Sequence, residues 1–149
     1  MARIYSIVSL LCIAACTVAA PLQLAPMHRR QTGDLQCNLA RLKIIADISS
    51  ASALIGQINS TDLSTATSVA VAQTGLESVN DAIQTILAAV FTNQTAPAAS
   101  RDQVSAGLDQ ALYALNNITD PSVNATVAAA QAKIESAGID GDNVVDDCH

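Results

Sequence analysis

Aromatic and basic residues are scarce in this 149-residue sequence. It has no tryptophan, one phenylalanine and two tyrosines, and its seven Lys and Arg residues face thirteen acidic ones. The shortage of cationic side chains argues against nucleic-acid binding, because phosphate contacts need clustered Lys and Arg. It also disfavours adsorption to anionic lipid by charge. The shortage of rings weakens any recognition that depends on stacking against bases or sugars.

Histidine is scarce as well, with two residues in the chain. His28 lies in a segment that we expect to be removed, which leaves His149. A serine or cysteine nucleophile would therefore lack a positioned base, and the many serines are expected to be helix-surface and capping residues. We predict that the protein is not an enzyme and has no cofactor.

Long hydrophobic runs are missing too. The stretch from Ile7 to Ala15 is short of the roughly 20 apolar residues that a membrane span needs. Arg3 precedes it and the small residues 17–19 follow, which predicts a secretory signal peptide over residues 1–19 rather than a membrane anchor. A GPI-anchor signal would need a hydrophobic C-terminal tail, which this sequence lacks, so we expect no GPI anchor. The expected location is extracellular.

Residues 20–30 have no helical or strand periodicity and end in Arg29-Arg30. This pattern predicts a propeptide cut at a dibasic site, and the alternative is an N-terminal tail that stays attached. The remaining residues 31–149 form one helical domain with an acidic C-terminal tail. This part holds four basic and thirteen acidic residues and has a net charge of −9.

Two of the four cysteines, Cys37 and Cys148, lie outside the predicted signal peptide. In an oxidising export route they predict one intrachain disulfide. Closing a loop of 111 residues would stabilise the domain by about 4 to 5 kcal/mol in the chain-entropy model. Intermolecular pairing and two free thiols are the alternatives.

Apolar spacing predicts four helices. The first covers residues 34–58, and its apolar residues follow each other at steps of three, four or seven. We take them as the inward face: Leu35, Leu39, Leu42, Ile45, Ile48, Ile55 and Ile58. The second covers residues 62–91 with a heptad through Val69, Leu76, Ile83 and Val90. The heptad passes Gly75 in phase, which favours one long helix over a break at that glycine.

The third helix is predicted from Pro97 to about Asn116, with these inward residues: Val104, Leu108, Ala111, Leu112 and Leu115. The fourth begins with Asp120 as N-cap and Pro121 as first helical residue, buries Val123, Val127, Ala130 and Ile134, and stops near Gly138. Residues 139–149 are expected to be irregular. Short connections predict an all-α, up-and-down antiparallel four-helix bundle closed by one disulfide.

Four N-glycosylation sequons begin at Asn59, Asn93, Asn117 and Asn124. Three fall in the predicted turns and one in the opening turn of the fourth helix, where a glycan has room. The carboxylates of residues 140–147 could bind Ca²⁺, but the segment lacks EF-hand spacing. We therefore expect a solvated tail and no metal site.

Residues 63–76, 82–100 and 121–132 contain no charged side chain. Such helix faces of Ala, Ser, Thr and Gln are typical of Ala-rich helix packing. They would also suit a surface, or an interior opened between helices, that accepts an apolar partner.

The predicted domain is secreted, helical and rich in Ala, Ser and Thr. It contains two short segments that carry a family resemblance: 46–50 (Ala-Asp-Ile-Ser-Ser) and 79–83 (Val-Asn-Asp-Ala-Ile). Over residues 34–137 the chain resembles the fungal hydrophobic surface binding protein A and cell wall galactomannoprotein family. The resemblance implies a secreted or wall-associated helical protein that adsorbs to hydrophobic surfaces or holds lipid-like ligands between its helices. It implies a lining of inward aliphatic side chains, and we name Ile45, Leu76, Ile83, Leu108 and Leu112.

The sequence thus predicts a secreted, non-catalytic glycoprotein of the fungal cell surface or extracellular space that binds hydrophobic surfaces or lipid-like ligands. The alternatives are a structural cell-wall glycoprotein and a secreted effector that recognises a host protein.

Overall fold

A computed structural model describes residues 35–92 and 94–147 of the chain. The regular structure of these residues is entirely helical: α1 Leu35–Gly56, α2 Leu63–Phe91, α3 Ala98–Asn116 and α4 Asn124–Asp147. The prediction of an all-α four-helix bundle is confirmed. The predicted signal peptide and propeptide, Asn93 and Cys148 lie outside the described residues.

The bundle consists of two closely packed antiparallel pairs. Helix α1 packs along α4 and α2 packs along α3, while contacts between the pairs are much less extensive. The connections 57–62 and 117–123 lie together at one end of the bundle, which we call the loop end. There the Ser60 hydroxyl donates a hydrogen bond to Asp120 Oδ2, and Ile58 and Ile118 are buried beneath it. The two pairs are therefore joined most firmly at the loop end.

Two glycines let α2 and α3 approach each other closely. A Cβ atom placed on Gly75 would lie 2.7 Å from the Gly107 carbonyl oxygen, and one on Gly107 would lie 2.6 Å from Val79 Cγ2. Helix α2 continues through Gly75 without a break, as the phase of the heptad predicts. Gly75 is therefore a packing residue, and the tertiary contact offsets its low helix propensity.

The prediction of which face of α1 points inwards is wrong over the first half of the helix. Ile48, Ile55 and Ile58 are buried, but four of the residues assigned to that face are exposed: Leu35, Leu39, Leu42 and Ile45. A step of three residues turns an α-helix by about 300°, so repeated steps of three rotate a stripe backwards by about 60° each. From Leu39 to Ile48 three such steps carry it to the opposite side.

The face of α1 that the fold buries is lined by smaller residues in its first half. Cys37 and Ala40 are buried, followed by Ile48, Ala51 and Ile55. Cys37 has no exposed surface. Its predicted partner Cys148 is not among the described residues, so the Cys37–Cys148 pairing stays a prediction.

Helix α4 differs from its prediction at both ends. It begins at Asn124, and residues 121–123 form a turn in which Asp120 Oδ1 accepts a hydrogen bond of 2.9 Å from the Ser122 backbone N–H. It also continues past Gly138 to Asp147, so the prediction of an irregular tail is wrong. Asp140 explains part of this difference, because it is buried with an oxygen 3.9 Å from Lys43 Nζ. Packing against α1 thus extends a helix that local signals would end.

The hydrophobic core draws on all four helices and is centred towards the loop end. Its largest fully buried members are Ile48, Ile55, Leu76, Val79, Leu115 and Ile134. Alanines fill the remaining positions where helices approach, such as Ala72, Ala111 and Ala130. The predicted stripes of α3 and α4 contribute as expected, with Leu108, Leu115, Val127 and Ile134 buried.

Candidate binding surface

The five residues predicted to line an apolar ligand site do not surround a common cavity. Leu76 and Leu108 are buried members of the core, and Ile83 and Leu112 are partly buried against it. Ile45 is 40% exposed and is not part of that core. The close contact of α2 with α3 leaves no room for a ligand between them at the level of Gly75.

The two best-formed clefts among the described residues are shallow and partly polar. One, of about 450 Å³, lies between the end of α3 and the start of α4. It is lined by Leu115, Asn116, Ile118, Asn124, Ala125, Val127, Ala128 and Gln131. The other, of about 320 Å³, lies between α1 and α2 and includes Leu76 beside Ser52, Gln73, Glu77 and Asn80. Neither has the apolar lining that a buried lipid chain requires.

A row of exposed leucines on α1 is the most distinctive apolar feature of the surface. Leu35, Leu39 and Leu42 are 76%, 44% and 64% exposed, and their spacing of four and three residues places them on one helix face. We call these three residues the α1 leucine stripe. Large aliphatic side chains aligned along one exposed helix face are typical of a surface that meets an apolar partner.

The stripe faces away from the bundle for a steric reason. Cys37 and Ala40 lie about half a turn from the stripe and are buried. On the flank towards α4, the side chain of Asp47 accepts a hydrogen bond of 2.8 Å from Lys133 Nζ. In the first half of α1 the interior thus takes the small residues Cys37 and Ala40, and Leu35, Leu39 and Leu42 remain outside.

Further exposed apolar residues lie at the same end of the molecule, among them two of α4. Ile139 and Val145 of α4 are 64% and 60% exposed. Because α4 runs antiparallel to α1 and Asp140 approaches Lys43, the last turns of α4 lie beside the first turns of α1. These turns also carry the exposed acids Asp142 and Asp146. The end of the bundle opposite the loop end therefore combines aliphatic and negatively charged surface.

Three sequons lie together at the loop end. Asn59, Asn117 and Asn124 are all exposed, and their two connecting segments are joined by the Ser60–Asp120 hydrogen bond. Asn93 lies outside the described residues. Glycans on the three described sequons would project from the end of the bundle that is remote from the α1 leucine stripe.

The carboxylates with lowered pKa values have structural partners. Hydrogen bonds from the Ser64 hydroxyl and from the Thr65 backbone and hydroxyl lower the pKa of Asp62, the N-cap of α2, to about 2. The hydroxyls of Ser60 and then Ser122 lower the pKa of Asp120. These interactions tie the loop end together and place no proton donor or acceptor in a cleft.

The ion pair between α1 and α4 has the same structural character. The hydrogen bond from Lys133, followed by one from Ser136, lowers the pKa of Asp47. The Asp47 side chain is 13% exposed and that of Lys133 is 45% exposed. Water therefore screens part of the attraction, and the pair contributes to the pairing of α1 with α4 without forming a buried reactive group.

Residues 35–92 and 94–147 contain no group of three or more His, Cys, Asp or Glu arranged to hold a metal ion. In the same part of the chain, no helix combines the length and apolar character of a membrane span. Comparisons with protein-family models, with curated proteins and with solved structures found no match to this chain.

The sequence contains a sign that α1 has a second apolar face. Cys37, Ala40, Ile44, Ile48, Ala51 and Ile55 form a second series at steps of three and four that keeps to one side of the helix. The opposing Leu35, Leu39 and Leu42 then make α1 apolar on two faces. A second apolar face on a helix indicates either a buried helix or an external partner.

Proposed function

We propose that this protein is a secreted, non-catalytic glycoprotein that binds hydrophobic surfaces through the α1 leucine stripe. The observation that carries the proposal is the exposure of Leu35, Leu39 and Leu42 along one face of α1. Each leucine transferred from water to an apolar phase gains about 25 cal/mol per Å² of apolar area covered. Three adjacent leucines on one rigid helix add their contributions without further ordering of the backbone.

Surface adsorption fits the geometry better than a lipid held between the helices. Leu76 and Leu108 are already packed in the core, and the clefts are shallow with polar residues in their walls. An enclosed apolar ligand would require α1/α4 and α2/α3 to separate. Adsorption requires no rearrangement.

Charge and glycans support the same arrangement. The net charge of −9 for residues 31–149 disfavours association of copies of the domain in solution. Glycans at Asn59, Asn117 and Asn124 would occupy the loop end and leave the stripe accessible. An extracellular or cell-wall location agrees with the signal sequence that we expect at residues 1–19.

Adsorption of the secreted protein to alkyl-coated particles tests the proposal. The double variant Leu35→Gln/Leu42→Gln removes two leucines from the stripe and keeps good helix formers. We expect a large loss of bound protein at equilibrium. Unchanged adsorption of this variant would rule out the stripe as the binding surface.

The matched control is Leu63→Gln/Tyr113→Gln. These residues are 80% and 72% exposed and lie near the loop end, so the variant removes a similar amount of exposed apolar surface elsewhere. We expect it to adsorb like the unaltered protein. An equal loss in both double variants would indicate adsorption through general surface hydrophobicity.

We also propose that the Cys37–Cys148 disulfide closes the domain. Cys37 is fully buried at the start of α1, and α4 ends beside this region. A peptide map of the unreduced protein should contain the cross-linked pair, and reduction should lower the unfolding free energy by about 2 to 4 kcal/mol. Recovery of both cysteines as free thiols would contradict the bridge.

A further inference from the structure

The α1 leucine stripe lies on the first turns of α1 and would need a cover until the protein reaches its site of action. Exposed aliphatic rows promote association while a protein is folded and exported. Residues 20–30, which precede α1, contain Leu22, Leu24 and Met27 and end in Arg29-Arg30. This segment combines apolar and basic side chains in a chain that is otherwise acidic.

We propose that residues 20–30, while still attached, dock along the α1 leucine stripe and that cleavage after Arg30 uncovers it. The inference depends on the proposed function in one respect only, which is the identity of the surface that the uncovered stripe then binds. The docking itself follows from the position of the segment, its charge and the exposed surface beside it.

Chain length permits this docking. Only residues 31–34 separate Arg30 from Leu35, and they include Gly33, a residue type suited to a reversal of chain direction. Eleven extended residues reach about 36 Å, whereas Leu35 and Leu42 are only about 10 Å apart along the helix axis. The segment is thus long enough to run back over the whole stripe.

Charge favours this occupant over a second copy of the protein. The last turns of α4, beside the start of α1, carry the exposed Asp142 and Asp146. Asp140 is buried there, with an oxygen 3.9 Å from Lys43 Nζ. Carboxylates at a helix C-terminus lie at the negative end of the helix dipole, so nearby cations are favourable there. Arg29 and Arg30 supply two positive charges only a few residues before the start of α1. A second copy would bring another net charge of −9.

The experiment compares two forms of the secreted protein. In one, Gln31→Pro prevents cleavage at the dibasic site while both arginines remain; in the other, the site is cleaved. Amide chemical shifts of residues 35–46 and 136–147 report docking directly. We expect these two regions to differ between the forms while residues at the loop end agree. Identical spectra in both regions would overturn the proposal.

Variants of the uncleaved form separate the apolar and charged contributions. Leu22→Ser/Leu24→Ser should return the shifts of residues 35–46 to those of the cleaved form. Arg29→Gln/Arg30→Gln, or added salt in the uncleaved form, should do so in part. If scrambling residues 20–28 left the shifts unchanged, contact between the segment and the leucines would be excluded.

Adsorption of the same two forms distinguishes this inference from the proposed function. We expect the uncleaved form to bind alkyl-coated particles several-fold less than the cleaved form. Docking by chemical shift with no adsorption by either form would support the inference and refute the proposed function. Sedimentation of the uncleaved form completes the test, because a dimer of that form that Leu35→Gln/Leu42→Gln abolishes would mean that a second copy, not residues 20–30, covers the stripe, and would overturn the proposal.

Discussion

Gly75 and Gly107 hold α2 and α3 in backbone contact, since a Cβ atom on Gly75 would lie 2.7 Å from the Gly107 carbonyl oxygen. The same Cβ atom would lie 3.1 Å from the Ala111 backbone nitrogen. Backbone atoms of two helices cannot move aside as a flexible side chain can. This contact therefore sets the distance between α2 and α3.

Replacing Gly75 by alanine should destabilise the protein, although alanine favours a helix. Overpacking at such a contact costs about 1 to 3 kcal/mol, which exceeds the gain in helix propensity of up to about 1 kcal/mol. Chemical denaturation followed by circular dichroism measures the difference.

Gly138→Ala is the matched control for this substitution. Gly138 lies inside α4 with no neighbouring atom within 4 Å of an added Cβ, so alanine should stabilise the protein by up to about 1 kcal/mol. The same sign at both positions would contradict the account of the α2/α3 contact.

The orientation of α1 can be tested by stability. Ile48 is 1% exposed and Leu42 is 64% exposed. Ile48→Ala should lower the unfolding free energy by about 2 to 5 kcal/mol because it leaves a cavity, whereas Leu42→Gln should change it by less than about 0.5 kcal/mol. Comparable losses would mean that the leucines face inwards. Both values come from urea denaturation of the purified variants.

The N-cap of α2 should make stability depend on pH in acid. The pKa of Asp62 is lowered to about 2 in the folded protein, against about 3.9 for an ordinary aspartate in an unfolded chain. Its contribution is therefore fully present above about pH 4 and is lost as the pH falls through 2. Asp62→Ala should lower the thermal midpoint at neutral pH.

Comparison at low pH distinguishes the cap from a general effect of the substitution. Near pH 2, the thermal midpoint of Asp62→Ala should approach that of the unaltered protein. Asp62→Asn keeps a capping oxygen but has no carboxylate that could be protonated, so its thermal midpoint should vary less between pH 4 and 2. A constant difference between the Asp62→Ala variant and the unaltered protein at every pH would contradict the lowered pKa.

The ion pair between α1 and α4 should have a small effect on stability and a clear effect on titration. In Lys133→Gln, the pKa of Asp47 should rise towards the ordinary aspartate value, while the hydrogen bond from Ser136 keeps part of the lowering. The stability change should be within about 1 kcal/mol because the pair is partly exposed. Carboxyl carbon shifts in a nuclear magnetic resonance titration report the pKa. An unchanged pKa would show that Lys133 is not its main cause.

Much of the fold is predictable from local patterns. The heptad in α2 and the stripes of α3 and α4 identify three buried faces, because apolar residues recur at helical spacing in each helix. Leu76, Leu115 and Ile134 are examples. Asp62 is an effective helix start because its carboxylate caps local backbone groups. These signals act within a few residues of one another, and the structure reproduces them.

Other features depend on residues far apart in the sequence. The Ser60–Asp120 hydrogen bond and the Lys43–Asp140 approach each join segments that no local pattern relates. Gly138 would end an isolated helix, but packing of Asp140 against α1 carries α4 onward. Four of the five predicted ligand residues lie in or against the core, yet whether a cavity exists between them depends on how closely the helices pack.

By itself, the sequence determined four helices, their order, the approximate limits of α1, α2 and α3, the acidic charge and the places where glycans can be attached. Only the tertiary structure decided which face of α1 is buried. Both faces are apolar, so periodicity alone cannot choose between them. Helix packing admits Cys37 and Ala40 and leaves Leu35, Leu39 and Leu42 outside, because the space available to a side chain is set by neighbouring helices.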